Sequence, residues 1–383
     1  MMIEERQNRI LRELALRGSL NAADFARSLG ISGMTVRRDL ALLEEQGALQ
    51  RVHGGAIAVA ERFGDSGGRA QRNTGRSGGN PGSVSPGGKT NPHVPGQRPL
   101  ATIGMVVPTS KYYFPGVIRG AEAAASELGV RLVLGVSNYS PAEEQRQIQR
   151  LLKSGVDGLL VTPSAERLAG TPTLDLLASA EVPVVVVERS IGDVLDAGRL
   201  ESVQSDHVRG AEIAVTHLLS LGHRKIALCT RKDSPTASHI EEGYRLSTQN
   251  AGLAPDADLT GVTYDTSDPE KLREQMSCIV DRFVDAGATA AIIHNDEDAL
   301  TFADLCEARA LRIPEDFAVV AYDDEVASLG AVPLSAVAPP KFDVGYHALQ
   351  MCLNRLGPKR RWELAVQRVS LSPTLVVRES TAK

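Results

Sequence analysis

At 383 residues with 42% hydrophobic side chains, the chain is long enough for two or three domains with cores of their own. It has no run of eighteen apolar residues and no signal-peptide-like start, so we expect no membrane span and a cytoplasmic location. The net charge of −5 divides unevenly: residues 1–98 carry 14 Lys and Arg against 9 Asp and Glu, and the remainder carries 28 against 38. A basic front and an acidic body favour a polyanionic partner for the front alone.

The first elements along the chain are two short helices. Residues 3–17 have an amphipathic pattern that turns Ile10, Leu11 and Leu14 inward. Asn21 is placed to cap a second helix over residues 22–29, which Gly30 ends.

A third helix follows, with the form of a helix that contacts something outside the protein. Val36, Leu40 and Leu43 fall at i, i+4 and i+7 and make one apolar stripe. Ser32 is placed to cap this helix, and the surface of its first turns carries Thr35, Arg37 and Arg38, as a groove-reading helix would.

The pattern then changes to two β-rich runs over residues 48–52 and 56–59 with a glycine turn between them. This predicts a hairpin, or wing, that carries Arg51 and His53. Together, residues 1–60 are predicted to form a winged helix-turn-helix domain that binds double-stranded DNA.

Residues 61–98 differ in kind from what precedes them. They contain 10 Gly and 4 Pro in 38 positions, no Leu or Ile, and Phe63 as the one aromatic. Such a segment buries too little apolar surface to offset its chain entropy, so we expect a disordered linker. Its six basic residues against two acidic ones leave open a contact with the DNA backbone.

From residue 99 to 383 short β-rich runs alternate with helical patterns. The predicted strands are 101–107, 131–136, 158–161, 183–187, 225–229, 288–294 and 317–322, and the predicted helices are 115–128, 142–153, 172–180, 208–221, 238–251, 269–286 and 297–311. This alternation predicts an α/β architecture with parallel, doubly wound sheets, and the length predicts two lobes with a cleft between them.

The front of the chain resembles the DeoR family of bacterial transcription factors. The resemblance rests on MTVRRDL at residues 34–40 and RVHGGA at 51–56, and it covers residues 3–58. It implies that Ser32, Thr35, Arg37 and Arg38 contact DNA, with Arg51 and His53 on the wing.

The body resembles the effector domain of the LacI family, which is similar to type-I periplasmic sugar-binding proteins. The matching stretches are 156–160, 182–185, 221–227, 295–296, 313–316 and 321–324, and the resemblance spans residues 101–380. It implies a ligand cleft between two lobes and a homodimer formed through this domain. The DNA-gripping hinge helix of that family is replaced here by the loose linker.

Six residues at the ends of predicted strands are candidates for contacting a ligand, because ligands of open α/β sheets bind beyond the carboxyl ends of the strands. An aromatic ring stacks on a sugar face, and a carboxylate beside an arginine bridges adjacent hydroxyls. The candidates are Tyr113, Phe114, Glu188, Arg189, Asn295 and Asp323.

For most of these candidates a purely structural role stays open. The aromatics could pack in a loop, Glu188 and Arg189 could form a structural ion pair, and Asn295 could cap the following helix. His207 lies near the expected cleft, where a cap or hinge role is as reasonable as a ligand contact.

Two positions depart from the LacI pattern. Ile240 stands where many relatives have an arginine, and Pro339 stands where a glutamine is common. Losing both residues weakens the case for one particular sugar, and the missing arginine argues against an anionic ligand held at that position.

The leading hypothesis is a transcriptional regulator, a repressor, whose binding to its operator is controlled by a small polar effector, a sugar. The alternatives are a regulator with a non-sugar effector and an enzyme that acts on a sugar or sugar phosphate through Glu188, Asp323 and Asp324. The body contains no common catalytic or nucleotide-binding motif, so we expect no enzyme and no cofactor. The four cysteines are widely spaced, so we also expect no metal site.

Overall fold

The computed structural model describes residues 7, 10, 19–22, 25–26, 33–45, 49–52, 55–58, 99–165, 167–191, 199–232, 234–254, 256–265, 269–356 and 364–382. No helix within these ranges is long and apolar enough to cross a membrane.

The N-terminal part contains helix α1 (Gly33–Glu45) and a three-stranded antiparallel sheet. Strand β3 (Gly55–Ala58) lies between β1 (Ser19–Asn21) and β2 (Leu49–Val52). The predicted hairpin is thereby confirmed, whereas β1 has only three residues and was not predicted. The predicted stripe is buried, with Val36, Leu40 and Leu43 at most 2% exposed.

Parts of the predicted DNA-binding domain lie outside the described residues. These are most of the helices at 3–17 and 22–29, the Ser32 cap, the wing turn with His53, and the linker 61–98. The described members of the first two helices agree with the prediction, since Ile10, Ala22, Phe25 and Ala26 are helical and buried against α1.

The first lobe of the body is a six-stranded parallel sheet covered by helices on both faces. The strands are β4 (Thr102–Val107), β5 (Arg131–Val136), β6 (Gly158–Val161), β7 (Val184–Val187), β8 (Glu201–Ser205) and β14 (Arg368–Leu371), in the order β14-β8-β7-β6-β4-β5. The helices are α2 (Phe114–Glu127), α3 (Pro141–Lys153), α4 (Pro172–Ala178) and α9 (Lys341–Asn354).

The second lobe repeats this plan. Its strands are β9 (Ile226–Arg231), β10 (Val262–Tyr264), β11 (Ala290–Ile293), β12 (Ala318–Tyr322), β13 (Ser335–Ala338) and β15 (Thr374–Val376), in the order β10-β9-β11-β12-β13-β15 with only β15 antiparallel. Its helices are α5 (His207–Ser220), α6 (Ala237–Asn250), α7 (Pro269–Asp285) and α8 (Asp296–Glu307).

Local sequence explains several helix starts in these lobes. Before α3, the Ser140 hydroxyl accepts a hydrogen bond from the Glu143 amide at 3.3 Å, and Pro141 occupies the first helical position. Glu143 in the first turn and Lys153 in the last turn match the helix dipole.

Each predicted strand and helix of the body is present, within one or two residues for most boundaries. Strands β8, β10, β13, β14 and β15 and helix α9 were not predicted. The chain passes between the lobes three times, after β8, after β13 and after β14, so the late helix α9 returns to the first lobe.

Helix α9 packs closely on α2 because each helix has a glycine that lies against the backbone of the other. A Cβ added to Gly345 would lie 1.8 Å from the Val117 carbonyl oxygen, and one added to Gly120 would lie 1.9 Å from that of Phe342. No side chain fits at either position, and this close approach fixes the start of α9 beside the ends of the first-lobe strands.

Candidate functional site

The carboxyl ends of the body strands carry a cluster of unusual backbone conformations. Of the eight non-glycine residues with positive φ among the described residues, seven follow β4, β5, β7 or β12. They are Tyr112, Tyr113, Asn138, Tyr139, Glu188, Asp323 and Asp324. Each non-glycine residue whose backbone is held in this region destabilises the fold by about 1–3 kcal/mol, and such residues concentrate at functional sites. The strand ends of the two lobes face each other, and we call the space between them the cleft.

Tyr113 and Glu188 are joined within the first lobe. The Tyr113 hydroxyl donates to Glu188 Oε1 at 2.8 Å, and the Ser205 hydroxyl donates to the same oxygen at 2.9 Å. Glu188 Oε2 accepts from the Ser205 amide at 3.0 Å, and the carboxylate is 4% exposed. Burial raises the pKa of Glu188, and these hydrogen bonds oppose the rise. Glu188 therefore holds the Tyr113 hydroxyl in place.

Phe114 differs from the sequence expectation of a ring available to a ligand. It begins α2, is 3% exposed and belongs to the hydrophobic core of the first lobe, with its ring edge-on to Tyr113 at 5.4 Å. For this residue the structure favours the packing alternative.

Arg189 presents donors at the carboxyl end of β7. Its Nη1 donates to the Glu188 carbonyl oxygen at 2.6 Å, which fixes the guanidinium. Its Nε is buried and has no hydrogen-bond partner among the described residues. Burial lowers the pKa of Arg189, opposed by Tyr139 and Glu188. A buried donor without a partner is expensive, so this edge suits a ligand acceptor.

On the second lobe, Asn295 caps α8. Its side-chain oxygen accepts from the Asp298 amide at 3.4 Å, and the residue is 1% exposed. The structure thus supports the cap alternative for Asn295. The neighbouring Asp296 was not among the candidates, yet its Oδ2 accepts from the amides of Glu325, Val326 and Ala327 at 2.6, 2.6 and 3.0 Å.

Asp323 lies at the end of β12 and is 5% exposed. Burial raises the pKa of its carboxyl, and the charge of Lys341 opposes the rise. Its neighbour Asp324 points elsewhere, because Arg378 pairs with it at 2.6 Å. The two carboxylates therefore do not form the catalytic pair that an enzyme would need.

Two further side chains line the cleft. Tyr139 follows β5 and is 52% exposed, yet burial raises its pKa, with the charges of Arg189 and Arg231 opposing. The ring is therefore accessible, and its hydroxyl lies within electrostatic range of Arg189 of the first lobe and Arg231 of the second. Arg231 ends β9 and pairs with Asp298 at 2.5 Å and Glu297 at 3.5 Å. The sequence pattern predicted that this strand ends at residue 229, so Arg231 was not among the candidate residues.

The two histidines near the cleft are held neutral. Burial lowers the pKa of His207 well below its ordinary value and that of His294 to about 3. His207 Nδ1 lies 3.3 Å from the Tyr322 hydroxyl, and Asp206 rather than His207 caps α5. His294 Nδ1 is buried without a hydrogen-bond partner in the described part of the chain.

The departures noted in the sequence have a structural explanation at one position. Ile240, where many relatives have an arginine, is fully buried in the core of the second lobe.

A cavity of about 700 Å³ lies on another side of that lobe, between α6 and the segment 253–261. It contains none of the cleft residues and is not part of the candidate site.

On α1, the first turn and the face opposite the buried stripe are accessible. Arg38 is exposed on that face, Thr35 is half-buried beside the stripe, and Met34 is 74% exposed in the first turn. Arg37 and Arg51 lie in α1 and β2, and nothing further is described of their side chains.

Comparison with known families matches two separate parts of the chain. Residues 6–62 match a DeoR-like helix-turn-helix domain, and residues 215–381 match a periplasmic binding protein-like domain.

Individual relatives span more of the chain. The arabinose metabolism transcriptional repressor of Geobacillus stearothermophilus is 25% identical over 364 residues, which cover 94% of this chain and 90% of that protein. The HTH-type transcriptional repressor PurR of Haemophilus influenzae is 30% identical over 287 residues, covering 73% of this chain and 81% of the relative.

A similar solved structure is that of a LacI family transcriptional regulator from Enterococcus faecium with bound ribose. The identity is 25% and the TM-score 0.58, with 73% of this chain and 98% of that chain covered.

Proposed function

The chain belongs to the LacI family of transcriptional regulators, and from that premise we propose that it is a cytoplasmic repressor controlled by a sugar bound in the cleft. Residues 1–60 bind operator DNA, residues 61–98 link the two parts, and residues 99–383 bind the effector. The relatives with similar architecture are transcriptional regulators, which sets the enzyme alternative aside.

The observation that carries the sugar proposal is the convergence of three polar groups of different kinds in the cleft. Arg189 offers a buried donor without a partner, Asp323 offers a carboxylate, and Tyr139 offers an accessible ring and hydroxyl. A polyol needs this combination, because each hydroxyl both donates and accepts. The repressor relative named for arabinose metabolism and the regulator with bound ribose support the same class of ligand.

In this proposal the six ligand-site candidates of the sequence have two kinds of role, direct contact with the sugar and support of the residues that make it. Arg189, Asp323 and Tyr113 remain the direct contacts, with Tyr139 added. Glu188 holds Tyr113, while Phe114 and Asn295 act through packing and capping.

The DNA contacts are proposed on α1 and the wing. Thr35, Arg37 and Arg38 contact the major groove from α1, with Ser32 before the helix. Arg51 and His53 contact the backbone from the wing. The exposure of Arg38 opposite the buried stripe supports this arrangement.

We propose that two copies associate through the body, so that effector binding changes how two recognition helices reach their half-sites. For a Gly-rich segment of 38 residues, such as 61–98, the expected root-mean-square span is about 35 Å, which is close to one turn of DNA. Such a tether permits binding to two half-sites without fixing their spacing.

The effector proposal is tested by thermal shift and calorimetry of the full chain with arabinose and ribose. A bound sugar should raise Tm with the logarithm of its excess. Arg189→Gln should weaken binding by about 10- to 100-fold, because hydrogen bonds to a charged group contribute about 1.5–3 kcal/mol. Arg209→Gln, which removes an exposed arginine paired with Glu212, is the matched control. Equal sugar affinity in both variants would contradict the cleft assignment.

The DNA proposal is tested by binding to the chain's own promoter region over a range of salt concentrations. Arg37→Ala and Arg38→Ala should each weaken binding, and each lost phosphate contact should reduce the salt slope by about 1. Arg245→Ala on α6 is the control for removing a positive charge elsewhere. Unchanged affinity in the double variant Arg37→Ala, Arg38→Ala would overturn the proposal.

A further inference from the structure

The side chain of Tyr112 crosses the cleft from one lobe to the other. Tyr112 follows β4 in the first lobe. Its hydroxyl lies 2.6 Å from Asp296 Oδ1 and 3.0 Å from Asp323 Oδ2, both carboxylates of the second lobe. The residue is held at φ +24°, a conformation that needs compensation from its surroundings.

The second-lobe partners form one rigid unit. Asp296 is fully buried, and its Oδ2 accepts three backbone amides from the turn after β12. The same turn begins with Asp323. If Asp296 moved together with Tyr112, it would have to move this whole turn. The hydrogen bond from Tyr112 therefore links the first lobe to a rigid part of the second lobe, not to one mobile side chain.

A second connection reaches the same turn. Lys341 begins α9, which packs in the first lobe, and its Nζ pairs with Glu325 Oε1 at 2.6 Å and donates to the Asp323 carbonyl oxygen. Its ammonium also lies 5.2 Å from the centre of the Tyr113 ring. Two side chains of the first lobe thus hold one turn of the second lobe.

The three groups Tyr112, Asp296 and Asp323 form two hydrogen bonds and therefore need two protons between them. The Tyr112 hydroxyl has one proton and cannot donate to two carboxylates at once. When one carboxyl is protonated, it donates to the phenol oxygen while the phenol donates to the other carboxylate. Burial raises the pKa of both carboxyls, that of Asp296 to about 7, and so favours keeping one proton in this cluster.

We propose that Tyr112 is a positioning residue of the effector site, which holds the two lobes closed through Asp296 and Asp323 by the chain's own hydrogen bonds. Its hydroxyl occupies Asp323 Oδ2 and leaves Oδ1 for an effector. The reference to an effector rests on the proposed function, whereas the lobe closure does not depend on any ligand.

The closure is tested by measuring a distance between the lobes in the full chain without added ligand. Spin labels are placed on Cys278, which is exposed on α7, and on a Lys153→Cys variant at the exposed end of α3. An excess of unlabelled protein ensures that each measured pair lies within one chain. Tyr112→Phe keeps the ring and removes both hydrogen bonds, so we expect a longer mean distance and a broader distribution than in the unsubstituted chain.

Tyr346→Phe is the matched control, because it removes a hydroxyl that bonds Glu127 at 2.5 Å within the first lobe. A general loss of packing would lower Tm without changing the distance between the lobes. Tyr112→Ala, which removes the whole side chain, should open the lobes at least as far as Tyr112→Phe. Unchanged distances in both Tyr112 variants would overturn the proposal, and they would leave the sugar proposal standing because no ligand is present in this measurement.

Discussion

Protonation of Asp296 should make the stability of this protein depend on pH in a defined direction. The carboxyl is fully buried, and burial raises its pKa to about 7 from an ordinary 3.8. The hydrogen bond to Tyr112 and the amide of Val326 oppose this rise, as does the charge of Lys341, whereas the charge of Asp323 adds to it. Because the folded-state pKa is the higher one, the stabilisation is complete below about pH 4 and is lost as the pH rises through 7.

The magnitude follows from the size of the shift. Each pH unit between the two pKa values corresponds to about 1.4 kcal/mol, so the loss is about 4 kcal/mol in total and about 2 kcal/mol between pH 5 and 7. Asp296→Asn cannot titrate. The free energy of unfolding of the unsubstituted chain minus that of Asp296→Asn should therefore fall by about 2 kcal/mol from pH 5 to pH 7. Above pH 8 this difference should stay constant.

The assay is urea unfolding followed by circular dichroism at pH steps from 5 to 8. Asp285→Asn at the end of α7 removes an exposed carboxylate and controls for the loss of a charge. A difference between the unsubstituted chain and Asp296→Asn that stays constant from pH 5 to 8 would refute the reasoning.

Two other substitutions test the packing that positions the cleft. Gly345→Ala places a Cβ 1.8 Å from the Val117 carbonyl oxygen, so α9 must move away from α2. We expect a loss of about 1–3 kcal/mol in the free energy of unfolding. Unchanged stability would contradict this, because it would mean that α9 can move away from α2 without loss of packing energy. Glu201→Ala leaves Arg355 buried without its 2.6 Å partner and should destabilise by about 3–5 kcal/mol, whereas Arg355→Met combined with Glu201→Leu should recover much of this loss in the same unfolding measurement.

The pattern of the sequence predicted the body because most of its strands are buried runs of Val, Leu, Ile and Ala. Strand β8 escaped prediction because its residues are Glu, Ser, Val, Gln and Ser. Its buried polar side chains have distant partners: Arg355 pairs with Glu201, and the Ser205 hydroxyl donates to Glu188. Arg355 follows α9 and Glu188 follows β7, so no local pattern contains these partners.

The candidate site shows the same division. Residues that directly follow a strand were found by position alone, as for Arg189 and Asp323. The sequence could not separate Tyr113 from Phe114, since both follow β4 and only the helix start buries Phe114 in the core. Asp296 and Tyr112 were missed as a pair because 184 residues separate them, and the closure of two lobes brings their side chains to 2.6 Å.

By itself, the sequence determined most of the helices and the buried strands, and that a helix-turn-helix module precedes an α/β effector domain. These properties depend on local periodicity and on short motifs such as MTVRRDL. The tertiary structure alone decided which polar side chains satisfy one another across the cleft and which remain available to a ligand. The physical reason is that a buried polar group is defined by its partners, and here those partners lie on different strands and on different lobes.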